Sequence, residues 1–159
     1  MAILAFAAVF VGWAGWSWIS ASNDDSLEYA SARDEVLRAG RQHVIELTTL
    51  DHDNVDKGIA RWLASSTGAL RDELASTDAK TKKSLREAKT VANGKVLDAA
   101  VTELDLDAGT ATMLASVEIT VSEQGSEPTS QRNRFTVQLA RTDGGWKLSA
   151  LDQVPVGNS

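Results

Sequence analysis

The chain has 159 residues, with 16 basic against 22 acidic side chains, a net charge of −6 and a pI near 4.9. That balance argues against a nucleic-acid partner and against a polybasic clamp on lipid headgroups. Cysteine is absent, which excludes disulfides, thiol nucleophiles and zinc–thiolate centres.

No side chain from Met1 to Asn23 is ionisable. The apolar run to Ile19 is long enough, at about 1.5 Å per helical residue, to cross a hydrocarbon core of roughly 30 Å. Trp13, Trp16 and Trp18 stand at its far end, where an indole can bury its ring and keep its N–H near water. Asn23-Asp24-Asp25 then turns sharply polar. The expectation is a transmembrane anchor over residues 1–22 and one extracytoplasmic domain over 23–159. A cleaved signal peptide fits less well: no basic residue precedes Ala21, and a Trp-rich end is unlike a cleavage region. A buried core helix would have three indoles crowding most of its circumference. The charges nearest downstream are acidic, with Arg33 the first base, so the domain is expected outside the plasma membrane.

Three helical stretches follow. From Ser26 to about Leu50, Leu27, Ala30, Val36, Leu37, Gly40, Val44 and Leu47 recur at spacings of three, four and seven. Asp53 reads as the cap of a second helix that places Val55, Ile59, Trp62 and Leu63 on one face. Ser65-Ser66-Thr67-Gly68 interrupts it. A third carries Leu70, Leu74 and Leu85, with Thr77 or Asp78 able to cap a break inside it and Lys80–Lys89 solvated.

From about Val91 the period becomes two. Ala111, Met113, Ala115, Val117, Ile119 and Val121 face one way, and Thr112, Ser116, Glu118 and Thr120 the other, with Leu114 the exception. Phe135, Val137 and Leu139 form the next alternating strand, after a loop over Gln124–Ser130. Asp143-Gly144-Gly145 predicts a tight turn into Trp146, Leu148 and Ala150. Helices first and an antiparallel meander afterwards make an α+β protein. The expected architecture is a cone: about three helices packed on a curved antiparallel sheet of about four strands.

These residues resemble a known family. A Trp-rich anchor precedes an amphipathic helix, Leu50-Asp-His-Asp-Asn-Val-Asp-Lys-Gly-Ile59 and Ala64-Ser-Ser-Thr-Gly-Ala-Leu-Arg71. Asp143-Gly-Gly-Trp-Lys-Leu148 then leads into Leu151-Asp-Gln-Val154. The whole is similar to the actinobacterial Mce-associated membrane proteins, most specifically at Thr67, Gly68, Arg71 and Gly145-Trp146. The resemblance implies a nuclear-transport-factor-like cone, a fold shared with the inner-membrane cone protein of type IV secretion systems. It also implies a single-pass accessory protein of an Mce-type lipid or sterol transporter, with transporter subunits as partners. A large apolar residue is usual in such families where Ala69-Leu70 stands, and a short basic N-terminal segment is missing here.

Few residues point to chemistry. His43 and His52 are the two histidines. Asp51-His52-Asp53 has metal-site composition, but its side chains are expected to diverge on a short loop and to need ligands from elsewhere. No Gly-x-Ser-x-Gly elbow or phosphate-cradling glycine pattern occurs. Cone-fold isomerases pair a buried carboxylate with a tyrosine, whereas the single tyrosine here, Tyr29, lies near the membrane end of the first helix. Asp98, Glu103 and Glu118 read as sheet-surface groups. Trp62 and Trp146 read first as core anchors and second as the lining of an apolar pocket at the mouth of the cone. Arg71 either binds carbonyls at its corner or faces a partner. The expectation is therefore a non-enzymatic accessory protein without cofactor or metal. The alternatives are a lipid- or sterol-binding cone, or a scaffold subunit of a secretion or conjugation complex.

Overall fold

The computed structural model describes residues 26–154 except residue 124. The expected anchor, with Trp13, Trp16 and Trp18, lies outside the described residues, as does the cap expected at Asn23 or Asp24. Among the described residues no helix is long and apolar enough to cross a membrane. The chain divides into two compact units, residues 1–34 and 35–159. In the first, residues 26–34 are helical, and Leu27 and Tyr29 are exposed.

Helix α1 runs over residues 26–47. It stops three residues short of the expected end because the Thr48 hydroxyl donates to the Val44 carbonyl at 2.7 Å, closing the last turn. The chain then enters β1 (Leu50–Asp51), a 3₁₀ turn (His52–Asn54) and α2 (Val55–Ser65). Next come α3 (Gly68–Ala75) and α4 (Ala79–Glu87). Asp78 makes the break between these two helices, its carboxylate accepting from the Thr81 amide at 2.7 Å. The third helical stretch is thus two helices, divided at one of the two positions where the sequence offered a capped break. The cap expected at Asp53 moves as well. Asp51 caps the 3₁₀ turn by accepting from the Asp53 amide at 2.9 Å, and α2 starts at Val55, its N-cap Asn54 making no side-chain cap bond.

Strands β2 (Thr90–Asp105), β3 (Thr110–Glu123), β4 (Thr129–Thr142) and β5 (Gly145–Gln153) form an antiparallel meander. The sheet has five strands in the order β1-β2-β3-β4-β5, one more than expected. The addition is β1, which pairs Leu50 with Ala92 and Asp51 with Val91. Two residues are too short a run to show a period. The loop before β4 is also shorter than expected, because Thr129 and Ser130 already pair with Val121 and Thr120.

Register shifts between Val96 and Asp98, between Val101 and Glu103, and between Gln138 and Leu139 bend the sheet. The concave face carries Val101, Ala111, Met113, Ala115, Val117, Val137, Leu139, Trp146 and Leu148, and Val36 and Val44 of α1 join them in the core. Gly40 sits between those two valines on the same helix face. A β-carbon there would meet Met113 Cε at 2.7 Å, so the bare backbone is what seats Met113. A second close approach lies at Gly94, where a β-carbon would collide with Thr48; its amide donates to Thr49 Oγ1 at 3.2 Å.

Candidate functional site

A groove of about 620 Å³ opens where α2, α3, α4 and the end of α1 meet β5. Leu47, Trp62, Leu70, Leu74 and Leu151 give it an apolar wall, and Glu73, Asp78 and the hydroxyls of Ser76, Thr77 and Thr81 give it a polar rim. Trp62 lines it and is also a strut, because its Nε1–H donates to the Glu46 carbonyl at 2.9 Å and faces that of Thr49 at 3.4 Å. Glu46 lies in the last turn of α1 and Thr49 just beyond it, where intrahelical donors run out. Trp146 stands elsewhere. It is 3% exposed and belongs to the core, so the pocket alternative does not describe it.

Thr67, Gly68 and Arg71 do not line the groove; they build the corner behind it. The Thr67 amide donates to the Leu148 carbonyl at 2.8 Å, and Ser66 bridges Leu148 in parallel, so the α2–α3 link lies along the free edge of β5. Gly68 turns the chain with φ +55°, a conformation that favours glycine. Arg71 Nη1 donates to the Leu63 carbonyl in the last turn of α2. Of the two roles open to Arg71, this contact supplies carbonyl capping.

A polar knot that the sequence did not disclose lies between α1, α2 and β5. His43 Nδ1 is 3.1 Å from Glu46 Oε2, and His43 Nε2 is 3.0 Å from the Trp146 carbonyl. Both ring nitrogens face acceptors, so the ring serves both only when each carries a hydrogen. Ser65, 2% exposed, donates its one hydroxyl hydrogen to Glu46 Oε2, with the Arg61 carbonyl oxygen 2.9 Å from the same Oγ. Gln42 Nε2 donates to Glu46 Oε1 at 3.1 Å. Burial pushes the Glu46 carboxyl up, but hydrogen bonds from Ser65, His43 and Gln42 outweigh it and hold the group below its ordinary value. The serine hydroxyl is spent on a carboxylate rather than offered to an imidazole. That geometry ties three elements together instead of arming a nucleophile. The i, i+3 spacing of His43 and Glu46 was a readable signal; Ser65, nineteen residues on, was not.

The donor atoms of Asp51, His52 and Asp53 all lie within 4.8 Å of one another. The expected divergence therefore does not occur: the 3₁₀ turn folds the three together. His52 Nε2 is 3.3 Å from Asp53 Oδ1. Both Asp51 oxygens already accept, from the Asp53 amide and from Asn54 Nδ2, at 2.9 Å each. These bonds hold its carboxyl below the usual range. Three donors are one short of a tetrahedral set, and turn formation accounts for the arrangement. Beside it, Asp56 binds Arg86 at 2.6 Å and Lys82 at 3.5 Å, pinning α4 to α2.

The fold is similar to that of several solved secretion-system domains. The chain superposes on an IcmL-like type IV secretion system protein from Legionella pneumophila with a TM-score of 0.62 and 11% identity, covering 80% of this chain and 95% of that one. The periplasmic domain of DotI gives a TM-score of 0.62 and 17% identity over 76% and 94%. VirB8 of Agrobacterium tumefaciens gives 0.55 and 12% over 73% and 88%. At such identities the likeness is one of fold. Residues 1–155 match the family described as "Uncharacterized protein Rv1363c/MT1408-like", and the chain belongs to it. "Uncharacterized protein Rv1363c" of Mycobacterium tuberculosis is 26% identical over 156 residues, 98% of this chain and 59% of that protein. The chain thus spans about three fifths of that relative's length. A mycobacterial relative agrees with the actinobacterial resemblance in the sequence.

Proposed function

We propose that this protein is a non-enzymatic, membrane-tethered assembly subunit of an envelope complex, with its cone domain outside the plasma membrane and acting by protein–protein contact. The observation that carries the proposal is the fold shared with secretion-system proteins over 95% of the Legionella protein's chain. It supports a scaffold role over a catalytic one. The polar groups near the mouth support the same reading, because Ser65, His43, Glu46, Thr67 and Arg71 are all engaged in holding elements together. Tethering confines such a domain to two dimensions and raises effective concentration, so a modest interface suffices.

The sequence and the fold suggest different complexes. The fold favours a secretion- or conjugation-type assembly. The resemblance at Thr67, Gly68, Arg71 and Gly145-Trp146 favours an Mce-type lipid or sterol transporter. Affinity purification from membranes in mild detergent, at native expression, separates the two by the subunits recovered. Recovery of the protein alone would overturn the assembly reading. The groove walled by Leu47, Trp62, Leu70, Leu74 and Leu151 favours one further reading, an acyl chain or sterol held at the mouth. Native mass spectrometry of the detergent-extracted protein tests it, and a bare polypeptide mass would dispose of it.

A further inference from the structure

The sheet leaves one stretch of backbone unpaired. Strand β5 covers β4 from Thr142 down to Phe135, and the Val154 amide adds one bond to the Arg134 carbonyl at 2.8 Å. Beyond it, among the described residues, no strand or backbone bond reaches residues 129–133 on that side. In an antiparallel strand each residue turns its N–H and C=O toward the same neighbour, and the side alternates along the chain. Arg134 faces the β5 side, so Arg132 and Ser130 direct both groups outward. Pro128, which has no N–H, ends the stretch. The opposite edge of the sheet is blunted. There β2 carries extra residues at Leu97 and Thr102, and the Asp98 carboxylate takes the Ala99 amide at 2.9 Å. The β4 edge has no such device, since its register with β3 runs unbroken from Ala140 to Thr129. A regular, open edge of this kind is a template for an added strand.

The side chains along this edge specify what such a strand carries. On the concave face, Thr129, Gln131 and Asn133 border a hollow of about 230 Å³, floored by Ile119 and by Val121, which is 40% exposed. On the outer face stand Arg132 and Arg134, both exposed. Arg132 Nε approaches Glu118 at 3.7 Å, and among the described residues Arg134 has no ion-pair partner. Side chains of a strand alternate between its two faces. A complementary segment therefore sets apolar residues in the hollow and carboxylates beside the arginines, at every second position. This chain's own continuation does not match. Carried past Val154, the β4–β5 register would set Pro155, Gly157 and Ser159 against the hollow, and Val156 and Asn158 against the arginines. We propose that the β4 edge over residues 129–133 receives an extended segment of a partner protein in which apolar and acidic residues alternate. The inference rests on the assembly reading above and names one surface through which it operates. Main-chain bonds to Ser130 and Arg132 supply the attachment, and the alternating side chains select the partner.

The test uses the full chain in its own membranes at native expression. Photoreactive benzoylphenylalanine is introduced at Gln131, the membranes are irradiated, and the protein is purified in mild detergent. Mass spectrometry then identifies the cross-linked segment, which is expected to come from a partner and to alternate apolar and acidic residues. Two variants probe the edge separately. Ser130→Pro removes an outward N–H while leaving the β3–β4 ladder intact, and Arg132→Glu reverses a charge. Each should cut the partner's recovery at least roughly tenfold, whereas Lys83→Glu, on exposed α4, should leave it unchanged. Far-UV circular dichroism checks that the sheet is retained, and if Ser130→Pro does not fold, Arg132→Glu decides. The proposal is overturned by an adduct to residues 155–159, to a second copy of this chain or to lipid, or by no adduct at all. Full recovery of the partner from either folded variant overturns it too. Those results leave the assembly reading standing, while purification of the wild-type protein alone removes that reading and this inference with it.

Discussion

Met113 is seated against the bare backbone of Gly40, where an added β-carbon would stand 2.7 Å from its Cε and 2.9 Å from its Sδ. The contact sets how closely α1 approaches the sheet. Val36 and Val44, one turn to either side of Gly40, are both fully buried. Gly40→Val is expected to cost about 1–3 kcal/mol by overpacking. Met113→Ala alone costs about 2–5 kcal/mol through the cavity it leaves. Because the two residues touch, the double variant should be markedly less destabilised than the sum. Urea titrations of the full chain in detergent give all three values, and strict additivity would show that the contact does not set the spacing.

Trp62 is a donor to a helix end as well as a wall of the groove. Trp62→Phe keeps most of the apolar contact and removes the N–H. The expected loss is about 1 kcal/mol, the worth of one hydrogen bond at the end of α1. Amide exchange should quicken at the last turn of α1. Unchanged exchange there would assign the tryptophan to packing alone.

The Glu46 knot makes stability depend on acid. Its folded carboxyl titrates below its ordinary value, so the ionised form stabilises the fold. That contribution is complete above the unfolded value of about 4.5 and is lost as pH falls through the lower folded one. Melting temperature should therefore drop on acidification below about pH 4.5, and Glu46→Gln should drop less steeply over that window. Asp51, Asp56 and Asp78, all lowered, titrate in the same direction, so the difference between the two proteins is the measurement. Parallel curves would remove Glu46 from the account.

Helix α4 has no buried residue, and Asp56 ties it down through Arg86 and Lys82. Asp56→Asn is expected to speed amide exchange across residues 79–87 while leaving the sheet untouched, with the effect shrinking as salt rises. Faster exchange in β2–β5 as well would mean that α4 is part of the global core.

Much of this fold was readable from the chain. Alternation over Ala111–Val117 matches the buried face of β3, whereas Ile119 is half-buried and Val121 40% exposed, and Asp143-Gly144 marks the β4–β5 hairpin, because both signals are local. Strand β1 was not readable, since two residues show no period and form a strand only because β2 lies beside them. The cap moved from Asp53 to Asp51 for a similar reason: a 3₁₀ turn inserted ahead of α2 shifts the start without changing the apolar pattern. At the mouth, Trp62 was visible as an apolar residue on a helix face. Its hydrogen bond to Glu46, sixteen residues away, depends on how α2 crosses α1, which no local pattern encodes. Leu114 did stand out, as the one break in a clean alternation.

Blue-native electrophoresis of mildly solubilised membranes, with and without the gene, tests the central claim most directly. An assembly subunit should migrate within a large envelope complex that shifts to smaller species when the protein is missing. Migration of the protein at its own mass or twice it, with every large complex unchanged by its loss, would contradict the account.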